Sequence, residues 1–171
     1  MSLTRPRLIG LAVAATIFAL DQLLKWLMIV PLALREVQVI PLLPIFDLRW
    51  TENTGVSLGM FAATSDAARW LLVGVTAAVA LVVLVWLLRE RIIGDILGLA
   101  LVLGGAFGNI LDRVRFGFVV DYADLHFGTF RPFYIFNLAD AAITIGVLII
   151  LARSLLSREK PKQTGETAPE S

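Results

Sequence analysis

Four runs of about 20 apolar residues, near 8–29, 68–88, 92–111 and 137–156, each match the length a helix needs to cross the hydrocarbon core of a bilayer. Inside hydrocarbon a backbone must satisfy its own hydrogen bonds, so such runs are helices or nothing. The chain is 58% apolar over its 171 residues, well beyond an ordinary soluble domain. The first run follows Arg5 and Arg7 as a signal peptide would, but it continues through Asp21-Gln-Leu-Leu-Lys25 with no small-residue cleavage site, and reads as a retained anchor. The expected fold is therefore membrane all-α: one integral-membrane domain over 1–160 and a polar, disordered tail over 161–171.

The segments between the runs divide by charge density. Arg5 and Arg7, the turn Arg89-Glu90-Arg91, and Arg153, Arg158, Lys160 and Lys162 fall on one side of a four-span bundle. The opposite loops, roughly 30–67 and 112–136, carry Arg35, Arg49, Arg113, Arg115 and Arg131 spread over longer stretches. The positive-inside rule then puts both termini in the cytoplasm. Within the first outer loop, Glu-Val-Gln-Val-Ile-Pro and Phe-Asp-Leu-Arg-Trp-Thr partly alternate in polarity, which predicts short strands at the membrane surface.

Composition removes several chemistries. With no Cys and with His126 as the single His, thiolate, iron–sulfur and His-rich metal sites are excluded. A net charge of +1 offers no field for nucleic acid. Hydrolysis, if present, rests on Asp, Glu, Ser, Thr or Lys, with no metal or cofactor expected.

Two acids stand out. An ionised Asp at the centre of a membrane helix costs roughly 2.5–3.5 kcal/mol, and Asp121 and Asp140 sit beside apolar segments at the two ends of one connection. Asn137-Leu-Ala-Asp140 also has the spacing of a helix cap, which alone would explain Asp140. Asp121 has no such alternative beyond a solvated loop acid, and Asp124 reads as a merely solvated neighbour. Asp21 and Lys25 are placed to neutralise one another at i,i+4. Gly94/Gly98 and Gly104/Gly108 permit close helix packing, and Gly105, Asn109 and Arg113 form a stripe ending beside Asp112. Asn53-Thr-Gly55 reads as a turn, and Ser57 with Lys25 would be the pieces of a Ser/Lys hydrolase. A small proton-coupled transporter is the rival use of paired intramembrane acids, and a noncatalytic assembly factor a further one.

Taken in order, Asp21-x-x-x-Lys25, Asn53-Thr54-Gly55, Gly105-x-x-x-Asn109-x-x-Asp112-Arg113, Val119-Val120-Asp121 and Phe136-Asn137-x-Ala139-Asp140 resemble the lipoprotein (type II) signal peptidases over roughly residues 15–145. The resemblance implies four membrane helices, a small outer β-cradle and a short outer interfacial helix over the site. It makes Asp121 and Asp140 the catalytic pair of an aspartic endopeptidase that cleaves just before a diacylglyceryl-modified Cys. Asn53, Gly55, Gly105, Asn109, Asp112, Arg113, Asn137, Ala139, Asp21 and Lys25 become substrate-binding or supporting residues. It further implies prolipoprotein substrates, contact with membrane lipid, inhibition by globomycin-like cyclic peptides, a monomer, and a place in the bacterial inner membrane with the site near the outer surface. Leu58, where the family often has an aromatic, and Tyr122 with the 123–134 segment depart from common versions.

For two nearby carboxylates the chemistry is that of a shared proton, one member acting as base toward water and the other as acid toward a carbonyl. The dipole of the fourth helix favours Asp140 as the anion and burial works the other way, so the sequence leaves the proton's resting place open.

Overall fold

The computed structural model describes residues 3–55 and 66–157. Ser57, Leu58 and the 161–171 tail lie outside them.

Among the described residues four helices are long and apolar enough to cross a membrane: α1 (Arg5–Ile29), α3 (Asp66–Arg89), α4 (Ile93–Phe116) and α5 (Leu138–Ser157). A four-residue helix α2 (Leu34–Val37) follows α1, and strands β1 (Val39–Leu43), β2 (Phe46–Asn53) and β3 (Val119–Leu125) form an antiparallel sheet in the order β1-β2-β3. The sheet therefore gathers at the bundle end where α1 and α4 finish and α5 begins. With four spans, residues 3 and 157 lie together at the opposite end.

Helix α4 is the centre of the bundle, packing against α1, α3 and α5. Its glycines explain why. A Cβ on Gly104 would lie 2.5 Å from the Ala14 carbonyl oxygen of α1, and one on Gly108 would strike the Asp21 carboxylate. On the other face a Cβ on Gly105 would strike the Ala139 carbonyl oxygen of α5, and one on Gly98 would lie 3.1 Å from the Gly146 carbonyl oxygen. Close backbone approach on two faces at once is what small residues provide where water supplies no driving force. Gly94 instead faces the Arg153 guanidinium.

At the end bearing residues 3 and 157, basic side chains finish the helices. Arg7 donates to the carbonyls of Glu90 (3.2 Å) and Arg89 (3.4 Å), and Arg153 Nε to Asp95 Oδ1 (2.7 Å). The Glu90 carboxylate accepts from the Arg91 and Ile92 amides, which hold it below its ordinary range.

The structure differs from the sequence reading in two places. Helix α4 runs on to Phe116, past the end of its apolar run, because Asp112 and Arg113 find partners within the protein. It stops at Gly117, whose φ of +87° suits a left-handed cap and turns the chain directly into β3. Val119–Leu125, read only as loop, is a strand buried along almost its whole length. The 123–134 segment, one of the departures from common versions of the family, leaves β3, reverses at Gly128 (φ +62°) with Phe127 bridging Phe130, and continues through Pro132 without forming a helix. The strand wins there because Phe46, Asp47 and Leu48 of β2 pair with Leu125, Asp124 and Ala123.

Candidate active site

Asp121 and Asp140 meet through strand pairing. Phe136 forms a bridge with Ala123, its amide donating to the Ala123 carbonyl (3.1 Å) and its carbonyl accepting from Ala123 (2.8 Å) and Tyr122 (3.1 Å). The outer edge of β3 is thereby covered, and the next residue, Asn137, is set beside Asp121 just before α5 starts.

Asparagine amides surround both carboxylates. Asp121 is 1% exposed and accepts from Asn53 Nδ2 at Oδ2 (2.9 Å) and from Asn137 Nδ2 at Oδ1 (2.7 Å). Asn53 reaches it diagonally across the sheet, where Asn53 pairs with Val119 and Thr51 with Asp121. Asp140 accepts from Asn109 Nδ2 at Oδ1 (2.8 Å) and from the Asn137 amide at Oδ2 (3.2 Å), while Asn137 Oδ1 accepts the Asp140 amide (2.9 Å). That exchange is a reciprocal helix cap, so the capping role of Asp140 is real. It leaves the carboxylate with unused lone pairs, since each oxygen accepts twice.

Burial first, and then the negative charge of Asp140, push the Asp121 carboxyl up to about 7, against the opposing hydrogen bonds from Asn53 and Asn137. Tyr122, beside it, is also raised by burial, and its hydroxyl accepts from the Leu138 amide (3.3 Å).

Beneath the pair lies a second polar cluster, closed to solvent. Lys25 Nζ contacts Asp21 Oδ2 and Asp112 Oδ2, each at 2.8 Å, and donates to Asn109 Oδ1 (3.2 Å). Three acceptors for three protons describe an ammonium, which has no lone pair with which to take a serine's proton. Gln22, given no role from sequence, donates to Asp21, Asp112 and the Gly108 carbonyl at 3.1–3.3 Å. Its signal was available: an uncharged polar residue between the two charges of an apolar span. Asp112 Oδ2 also accepts the Val120 amide (3.1 Å), and Asp21 Oδ1 the Ala139 amide (3.1 Å), so the cluster grips β3 and α5 alike.

The site residues named by the resemblance, all within the described segments, thus fall in one connected neighbourhood. Gly55 (φ +87°) closes the β2 turn, donating to Asn53 Oδ1 (2.9 Å), and a Cβ there would lie 3.5 Å from Arg113 Nη2. Arg113 donates from Nη1 to the Asn109 carbonyl (3.4 Å); its buried Nε has no hydrogen-bond partner among the described residues. Gly105 and Ala139 are the contact that seats α5 on α4.

Asp124 departs from its reading as a solvated acid. It is 0% exposed, and Arg49 Nε (2.9 Å) and Arg131 Nε (3.0 Å) both donate to it. Burial raises its pKa, but the hydrogen bonds and charges of Arg131 and Arg49 outweigh this and hold it below its ordinary range. The apolar β3 residues around it hid both partners, one brought by the neighbouring strand and one by the loop beyond.

A cleft of about 950 Å³ opens over the two acids, bounded by the β2 end from Thr51 to Gly55 and by the 131–136 stretch, with Asp121 and Asp140 in its wall. A smaller groove of about 300 Å³ is lined by Phe18 of α1 and by Phe107, Ile110, Leu111 and Val114 of α4, all apolar.

Comparison with known proteins gives one answer. The family model described as Signal peptidase (SPase) II matches residues 13–156. A lipoprotein signal peptidase of Sphingopyxis alaskensis is 58% identical over 154 residues, covering 90% of this chain and 89% of the relative. One of Rhizorhabdus wittichii is 53% identical over 165 residues, covering 96% and 94%. A bacterial membrane enzyme solved by the in meso method at 2.3 Å shares the fold, with a TM-score of 0.75 at 23% identity and 94% of each chain covered.

Proposed function

The chain belongs to the signal peptidase II family, a multi-pass intramembrane aspartic peptidase that processes lipoprotein signal peptides, and from that premise we propose that Asp121 and Asp140 are its catalytic dyad. The observation that carries this reading is the convergence of the two carboxylates, held by Asn53, Asn109 and Asn137, on one open cleft. The substrate is a diacylglyceryl-modified prolipoprotein, cut just before its lipidated Cys. Its acyl chains stay in hydrocarbon while the peptide enters the cleft at the end of the spans.

Asp121 carries the proton near neutral pH and Asp140 is the base. Asp140 takes a proton from water as the water oxygen bonds to the scissile carbonyl carbon, and Asp121 gives its proton to the carbonyl oxygen, forming a tetrahedral diol. On collapse the C–N bond breaks, Asp140 delivers its proton to the leaving nitrogen, and a diol hydroxyl returns a proton to Asp121. Both carboxyl groups end as they began. Arg113, with its guanidinium against Gly55, supplies donors for a substrate carbonyl.

Both termini are assigned to the cytoplasm of a bacterial inner-membrane protein, with the cleft at the outer surface, on the density of Arg and Lys around α1, the α3–α4 turn and the tail. Because the chain lacks Cys, single-Cys variants labelled from either side test this directly. The enzyme acts as a monomer, and a globomycin-like cyclic peptide occupies the same cleft as an inhibitor.

The decisive experiment incubates purified protein with a diacylglyceryl prolipoprotein. Asp121→Asn and Asp140→Asn each abolish cleavage; turnover surviving in both would sink the dyad. The transporter reading expects its acids near the midplane, whereas these lie where α5 begins and where β3 crosses the bundle end.

A further inference from the structure

Three asparagine amides face the dyad, and an amide can point either of two ways. In each, the oxygen is held by a group that can only donate. Asn53 Oδ1 accepts the Gly55 amide (2.9 Å) and Asn137 Oδ1 the Asp140 amide (2.9 Å), so for these the lock is backbone. For Asn109 the lock is a side chain from another helix: Oδ1 accepts from Lys25 Nζ and from Asn137 Nδ2, both at 3.2 Å. Turning that amide over would set its NH₂ against an ammonium and remove the donor from Asp140.

Lys25 is 2% exposed, and neutralising its carboxylate neighbours does not require it to touch Asn109. Asp21 and Asp112 take two of its protons, and Gln22 bridges the same two acids. The third proton goes to the one asparagine whose Nδ2 binds Asp140. The other charged or titratable groups around Asp140 are Arg113 of α4, Asp121 and Tyr122 of β3, and, at the cleft rim, Glu52 and Arg131; none of them is hydrogen-bonded to the Asn109 side chain.

We infer that Lys25 is a positioning residue for the dyad: it fixes the Asn109 amide so that Nδ2 can only donate to Asp140 Oδ1, setting the direction of the carboxylate that activates water. This rests on the dyad reading above. A cation packed beneath the active site thus orients the base without touching substrate, and a small misplacement of such a base costs up to about a hundredfold in rate.

The test is a double-mutant cycle in the full-length protein, with kcat and KM measured separately on a diacylglyceryl prolipoprotein. Lys25→Met and Asn109→Ala are each expected to lower kcat about 10- to 100-fold with KM changed less than about threefold. The double variant is expected to match Asn109→Ala alone, because Lys25 acts through that amide. Multiplying effects, a change confined to KM, or an unaltered kcat in Lys25→Met would overturn the proposal. Lys25→Met leaves Asp21 and Asp112 uncompensated, so the neutral combination Asp21→Asn, Lys25→Met, Asp112→Asn serves if the single variant does not accumulate. Failure of that combination to fold as well would give Lys25 a purely structural part and overturn the proposal too. Turnover persisting in Asp121→Asn and Asp140→Asn is a different result, which refutes the dyad and not merely its support.

Discussion

Asp121 and Asp124 lie three residues apart on one strand, 1% and 0% exposed, yet they are opposite kinds of acid. Asp121 has amide partners only and faces another carboxylate, and its pKa rises to about 7. Asp124 has two arginines, and its pKa falls. Burial is common to both, so burial alone does not decide which way a carboxyl's pKa moves. What matters is whether the buried charge is answered by a cation, which fixes it, or by neutral dipoles, which leave a proton free to come and go.

The broadest way to break this contrast is to neutralise each in turn. Asp121→Asn is expected to lower kcat/KM for prolipoprotein cleavage by about a thousandfold or more, whereas Asp124→Asn keeps its turnover within about tenfold when assayed at a temperature where it stays folded. Comparable losses in the two variants, with both folded, would erase the distinction.

Next in size is the pH profile. On the dyad reading Asp121 is the acid; its pKa is raised, so its proton is present below about 7 and lost above. The alkaline limb of kcat/KM is expected near pH 7, falling about tenfold per pH unit beyond it. A limb two or more units higher would show that Asp121 is not the acid.

For Asp124 the depressed pKa means stability that is present above the ordinary value of 3.8 and disappears as pH falls through the lower native value. Asp124→Asn is expected to cost roughly 1–2 kcal/mol at neutral pH, less than for a fully enclosed pair because Arg49 and Arg131 are 35% and 42% exposed. Thermal melts from pH 7 down should show the gap from the parent protein closing below about pH 4.

The smallest effect sharpens the assignment at Asp121. Asn53 donates to the ionised form, so Asn53→Ala removes a force that lowers the Asp121 pKa, and the alkaline limb should move upward by about half to one pH unit. A downward movement would mean that Asn53 had served the protonated form.

The contrast between these two acids also marks where the sequence stopped being informative. Spans were legible because hydropathy acts residue by residue, and α1, α3 and α5 lie within a few residues of the apolar runs that announce them. The strands at Val39–Leu43 and Phe46–Asn53 were legible as partial alternation. β3 was not, since a strand buried on both faces loses its period. Asp124 was misread for the same reason: its partners Arg49 and Arg131 sit 75 and 7 positions away, and only pairing brings them in. The aspartates and asparagines of the site stood out as ordered blocks, but their contacts depend on the Phe136–Ala123 bridge, which no local pattern announces.

That bridge has one further consequence. Because Phe136 is zipped to Ala123, the chain between them is a closed excursion whose two ends are anchored next to each other, and Asp121 and Asn137 keep their places whatever the excursion does. On the dyad reading the chemistry then rests on residues outside the excursion, while the 131–136 stretch inside it bounds the cleft.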